Sequence, residues 1–178
     1  MTGTPFNTTG GIHEVPTGTA GRLFLCGKHH IGPDVQAVLR ETDGAHVVCL
    51  VERHELEHRY DGYLSWLESG GDCTWFPVHD MSTPAMDDAL VLYRRLAGML
   101  RDGRNLVIHC AAGIGRAGTT AAATLMVLGM GADDALARVA AHRPMAGPQT
   151  LTQELFVRDL DALLRGGTPR ADWPGTVD

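Results

Sequence analysis

The sequence predicts an α/β fold with a single, mostly parallel central sheet flanked by helices, and three observations predict it. Short continuous apolar runs alternate with helical patterns through the first two thirds of the chain. The run 45–51 is apolar apart from His46 and Glu52 only follows it, as expected of a strand covered on both faces. After the last run, which ends at Cys110, only helical patterns follow, so strands come early and helices close the chain. The expected strands are 23–26, 45–51, 74–78 and 105–110, and the expected helices are 34–40, 54–67, 84–101, 117–130, 132–142 and 149–164. Helix 84–101 has the clearest signature, with Pro84 at its start and Met86, Leu90, Tyr93, Ala97 and Leu100 recurring every three or four residues.

A chain of 178 residues corresponds to one domain and buries enough surface to need no disulfide or structural metal. With 44% hydrophobic and 20% charged residues the composition is that of a globular protein, which excludes disordered, collagen-like and coiled-coil classes. The net charge of −6 argues against a nucleic-acid or anionic-membrane partner. Cys26, Cys49, Cys73 and Cys110 are widely spaced with no CxxC pair, consistent with a reduced chain. Residues 1–20 lack a basic start followed by an apolar run, and the most apolar window, 121–130, is too short to span a bilayer. The expectation is a cytoplasmic protein with a loose arm over 1–21, a catalytic domain over 22–165 and a flexible tail over 166–178.

The informative segment is 109–119, HCAAGIGRAGT, which leaves a buried strand, turns through glycines and enters an Ala-rich helix. Gly113 and Gly115 permit backbone angles that let successive N–H groups converge, and the helix start adds the positive end of its dipole. Ala111, Ala112, Gly113, Ile114 and Gly115 thus form an anion cradle, which Arg116 completes with a planar fork for two phosphate oxygens. Cys110 at the mouth of this cradle feels amides, dipole and guanidinium together, all of which favour the thiolate. A thiolate beneath a bound phosphate is placed for in-line attack on phosphorus.

The spacing HCxxGxxR resembles the signature of the cysteine-dependent protein tyrosine phosphatase superfamily, and the following Ala-Gly-Thr fits it too. The set looks closest to the compact dual-specificity and kinase-associated branch and covers roughly 23–164. The resemblance implies a tyrosine-phosphatase-like fold and a metal-free, two-step hydrolysis through a phosphocysteine, with no cofactor. It gives Cys110 the role of nucleophile and His109 that of orienting the loop. Phe76-Pro77-Val78-His79-Asp80 resembles the family's general-acid loop, with Asp80 as the acid; Asp87 and Asp88 are the alternatives. Arg143-Pro144, Gln149-Thr150 and Gln153 resemble the loop whose glutamine holds the hydrolytic water, which assigns that role to Gln149 unless it only opens the last helix. The implied partner is a phosphorylated protein or peptide, most of all phosphotyrosine and then dual specificity, with small phosphoesters as a further option. The cradle interior AAGIG carries no lysine, whereas phosphoinositide-directed members often have basic residues there.

One position departs from the family. Many members carry Ser or Thr directly after the arginine, where the hydroxyl assists phosphocysteine breakdown; here that residue is Ala117, with Thr119 two residues on. This leaves room for a catalytically impaired phosphate-binding module, and a rhodanese-like cradle is a further alternative for the loop itself. His54-Glu55-Leu56-Glu57-His58 matches HExxH, which on a helix would place two histidines on one face for zinc. Charged neighbours and the lack of a distinctive third ligand favour an exposed charged helix face instead. Cys49 could pair reversibly with Cys110, although a small buried hydrophobe is the better reading.

Overall fold

The computed structural model describes residues 10–168. A five-stranded sheet of order β1-β2-β5-β3-β4 forms its centre. Strands β2 (Leu23–Gly27), β3 (His46–Cys49), β4 (Cys73–Trp75) and β5 (Leu106–Cys110) run parallel, and β1 (His13–Val15) closes one edge antiparallel to β2. Every residue of β2, β3 and β5 is buried, which is why their sequences read as unbroken apolar runs rather than alternations.

Helix α1 (Lys28–Ile31) follows β2 directly, and α2 (Val35–Glu41) begins at Asp34, whose side chain accepts a hydrogen bond from the Ala37 N–H. Helix α3 (Asp61–Glu68) precedes β4, and α4 (Met86–Arg101) leads into β5, burying Ala89, Leu92, Tyr93, Leu96, Ala97 and Leu100 along one stripe. After β5 come α5 (Gly115–Val127), α6 (Ala132–His142) and α7 (Leu151–Leu164). Helix α5 is buried from Arg116 to Met126 and packs against β5, α4, α6 and α7. Its Ala, Gly and Thr residues let those neighbours approach closely. The apolar window at 121–130 is therefore the core of this helix, and no helix among the described residues is long and apolar enough to cross a membrane.

The order of the sheet positions the site. Strand β5 lies between β2 and β3, with Gly27 in register with Cys110 and Cys49 with His109. Three strands thus end side by side, and the loops that leave them meet at the carboxyl edge, where open parallel sheets bind ligands.

The structure differs from expectation in three places. Segment 54–67 is not one helix: a 3-10 turn at Arg53–Glu55 is separated from α3 by His58, whose φ is +63°. The break has local causes, since the Glu52 and Glu55 side chains close a capping box and the Asp61 carboxylate accepts from the His58 N–H. Residues 10–21, expected within a loose arm, contain β1, whose Val15 is fully buried; three residues are too few to show an alternation. The apolar runs at 45–51 and 74–78 form strands only over His46–Cys49 and Cys73–Trp75, and the rest continues as loop at the carboxyl edge. The expectations for 1–9 and 169–178 lie outside the described residues.

Candidate active site

The segment 111–114 turns from β5 into α5, and most of it lines a pocket of about 270 Å³ together with Cys110. Ala111, Ala112, Ile114, Gly115 and Arg116 all line it, so five of the six residues expected to hold phosphate surround one concavity. Gly113 does not line it but lets the turn exist: its φ is +72°, and a Cβ there would stand 2.2 Å from the Cys26 carbonyl oxygen. No side chain caps the N-terminus of α5, which leaves its first-turn amides for an anion.

Arg116 is nearly fully buried and held from several sides. Glu55 accepts from both terminal nitrogens, at 2.8 and 2.9 Å, and the Val78 carbonyl accepts from Nη1 at 2.9 Å. Asp80 reaches Nη2 at 3.1 Å. The Nε of Arg116 is buried and has no hydrogen-bond partner. Burial of Glu55 pushes its pKa up, but the Arg116 hydrogen bonds, the Glu52 backbone N–H and the charges of Arg116 and Lys28 outweigh this, and the carboxyl lies below its ordinary range.

His109 is fully buried beneath the turn. Its Nδ1 donates to the Cys110 carbonyl at 3.4 Å, and its Nε2 accepts from the Tyr63 hydroxyl at 2.6 Å, which fixes a neutral tautomer. Desolvation lowers its pKa to about 4, with the Cys110 carbonyl opposing and Arg116 assisting. Cys26 and Cys49 flank His109 on the neighbouring strands, and burial raises both thiols to about 12. Cys49 is fully buried, as a small apolar group would be.

Two further loops reach the pocket. Asp80 lines it with an exposed side chain, whereas Asp87 and Asp88 sit exposed in the first turn of α4 and do not. Gln149 also lines it; its Nε2 donates to the Met145 carbonyl at 2.9 Å, and its N–H donates to Gln153 Oε1 at 2.8 Å. Gln153, itself buried, donates to the Ser82 carbonyl at 3.2 Å and so ties the two loops together. Cys110, Arg116, Asp80 and Gln149 are thus brought to one pocket, with His109 behind it. Thr119, whose buried hydroxyl has no partner, does not line it but lines a small neighbouring cavity with Ser82 and Thr83, and Arg116 borders both.

Sequence reasoning named two residues without finding their supporting roles. Glu55 was given no role toward Arg116, yet its carboxylate faces that guanidinium, and the break at His58 keeps His54 and His58 off a common helix face. Arg143 is buried under the turn, where Nε donates to the Gly113 carbonyl at 2.6 Å and Nη2 to the Ala112 carbonyl at 2.8 Å. Its Nη1 donates to His13 Nδ1 at 2.6 Å, which joins β1 to the cradle. An arginine immediately before Pro144 at a helix end was the only sequence signal for it.

A family model described as polymorphic toxin system, DSP-PTPase phosphatase matches residues 26–130, more than half of the chain. No curated protein matches the chain. Among solved structures, Tk-PTP in its active form is 30% identical with a TM-score of 0.67, over 79% of this chain and 92% of that one. A kinase associated phosphatase whose catalytic cysteine is replaced by serine is 20% identical with a TM-score of 0.73, over 89% of this chain and 98% of its own. A human tyrosine phosphatase-like serine/threonine/tyrosine-interacting protein is 18% identical with a TM-score of 0.66, over 86% of this chain and 97% of its own. These last two are likenesses of fold.

Proposed function

Because the chain belongs to the DSP-PTPase phosphatases of polymorphic toxin systems, within the cysteine-dependent protein tyrosine phosphatase superfamily, we propose that it hydrolyses phosphomonoesters through a phosphocysteine on Cys110. The observation that carries this is Arg116, which lines the same pocket as Cys110 and whose buried Nε has no hydrogen-bond partner. Buried donors are nearly always satisfied, and a phosphate oxygen supplies the missing acceptor.

In the first step the Cys110 sulfur attacks phosphorus, the bond to the leaving oxygen breaks, and Asp80 gives that oxygen its proton. Asp80 leaves Arg116 Nη2 to do so, which frees one of its N–H groups for the substrate while the other stays on Glu55. In the second step a water held by Gln149 attacks phosphorus, Asp80 takes its proton, and the sulfur–phosphorus bond breaks to release phosphate. His109 orients the Cys110 carbonyl from beneath. The substrate favoured is protein phosphotyrosine, with dual specificity as the wider option. Lys28 does not alter this, since its Nζ is spent on the Glu55 carbonyl at 3.0 Å and it does not line the pocket.

The test is hydrolysis of p-nitrophenyl phosphate in excess chelator. Turnover is expected to persist with chelator and vanish in Cys110→Ser, and Asp80→Asn is expected to lose about 10²- to 10⁴-fold in kcat. Activity surviving in Cys110→Ser would overturn the assignment. A second reading, a phosphate-binding module with little turnover, draws on Ala117 and on Thr119 pointing elsewhere; it requires binding without hydrolysis in the wild type.

A further inference from the structure

Five large hydrophobic side chains are exposed among the described residues, and three of them belong to the pocket or to the segment around its Gln149: Met81, which lines it, Met145, whose carbonyl accepts from Gln149, and Leu151, the first residue of α7, at 54%, 72% and 68% exposure. Singly exposed apolar residues are ordinary, but one on the pocket and two beside its Gln149 concentrate apolar surface at one place. Met81 follows Asp80 and lines the same pocket as Cys110, so its apolar side chain borders the cradle.

The backbone supplies an independent observation. Only four non-glycine residues among those described have positive φ, and Met81 (+61°) and Met145 (+68°) are two of them. Such conformations persist where surrounding contacts enforce them, and they cluster at ligand sites. The enforcing contacts are present: the Thr150 hydroxyl donates to the Met81 carbonyl at 3.2 Å, and Gln149 Nε2 donates to the Met145 carbonyl at 2.9 Å. The same segment, 149–151, thus holds both methionines with their side chains outward and presents Leu151 next to them. Methionine is flexible and polarizable and accommodates varied apolar partners.

We propose that Met81, Met145 and Leu151 form an apolar collar that receives the side chains flanking the phosphorylated residue of a peptide, and so selects phosphopeptides with bulky apolar neighbours. This role rests on the phosphatase activity proposed above. A peptide is the occupant that fits, because flanking residues emerge where the phosphorylated side chain leaves the pocket. Three side chains cannot supply the roughly 800 Å² per partner of a standard protein interface. The net charge of −6 opposes an anionic bilayer.

The experiment compares two phosphotyrosyl peptides that differ only in carrying leucine or glutamate on both sides of the phosphotyrosine. Wild type is expected to favour the leucine peptide by about tenfold in kcat/KM. The double variant Met145→Gln, Leu151→Gln is expected to bring that ratio close to one by raising KM for the leucine peptide, with kcat retained. Equal use of the two peptides by wild type, or an unchanged ratio in the variant, overturns the collar while leaving the phosphatase intact. A preference for phosphorylated lipid in neutral vesicles, lost in the variant, overturns it in favour of a membrane. No hydrolysis of either peptide or of p-nitrophenyl phosphate overturns the phosphatase itself and the collar with it.

Discussion

Glu55 and Arg116 are separated by sixty-one positions in sequence yet share two hydrogen bonds, and their side chains are 11% and 2% exposed. Removing one partner of a buried ion pair strands the other charge, whereas a neutral isostere keeps part of the bonding. Glu55→Ala is therefore expected to destabilise the protein by about 3 kcal/mol, measured by denaturant unfolding, and to weaken phosphate competition. Glu55→Gln is expected to lose distinctly less on both counts; equal losses would mean that the carboxylate charge is not what holds the guanidinium. The HELEH string shows why this residue was illegible in the sequence. Its spacing suits a metal helix, but Glu55 is drawn to a side chain that lies far along the chain, and a left-handed His58 breaks the helix.

At the level of elements, the join between α5 and the Gln149 loop depends on a residue with no side chain. A Cβ on Gly118 would stand 2.2 Å from the Gly147 nitrogen, and Gly147 donates its N–H to the Ile114 carbonyl at 3.1 Å. Backbone cannot yield cheaply there, so Gly118→Ala is expected to displace the loop carrying Gln149 away from the cradle. Dephosphorylation of the enzyme should slow more than its phosphorylation, seen in stopped-flow hydrolysis of p-nitrophenyl phosphate as a lower steady-state rate after a burst of retained rate and amplitude. An unchanged steady-state rate would show that Gln149 does not act in the second step. The cradle itself was legible because strand, glycine turn and helix are contiguous over 106–127, so that local rules suffice. Contacts such as Arg143 to Gly113 and His13 depend on how distant segments meet, and β1 is too short to leave a periodic signal. The edges of the central sheet were thus less readable than its middle.

For the whole molecule, the buried histidine beneath the cradle makes stability depend on pH. His109 titrates near 4 when folded against an ordinary value of 6.5, because its neutral ring is buried. Between those values the unfolded chain binds more protons, so its contribution is complete above about 6.5 and is lost as pH falls through about 4. Glu55, whose pKa is depressed, acts in the same direction at the acid end. Thermal unfolding should reveal a loss of about 3 kcal/mol from His109 between neutrality and pH 4, and the loss should be smaller in His109→Asn. A pH profile equally steep in that variant would assign the acid sensitivity elsewhere. The fold class followed from apolar runs and helical periods, which report burial on each element. Pocket assembly depends instead on the order β2-β5-β3, which brings three loop ends together.

The most direct measurement is a rapid acid quench of the wild-type enzyme turning over p-nitrophenyl phosphate, with the phosphorylated residue identified by mass spectrometry. Ala117 removes the hydroxyl that would follow Arg116, and Thr119 turns toward another cavity, so breakdown of the intermediate is expected to be the slow step. The expected result is a burst near one equivalent of p-nitrophenol with one phosphoryl group on Cys110. A linear time course with no phosphocysteine, or phosphate recovered on another residue, would contradict the account.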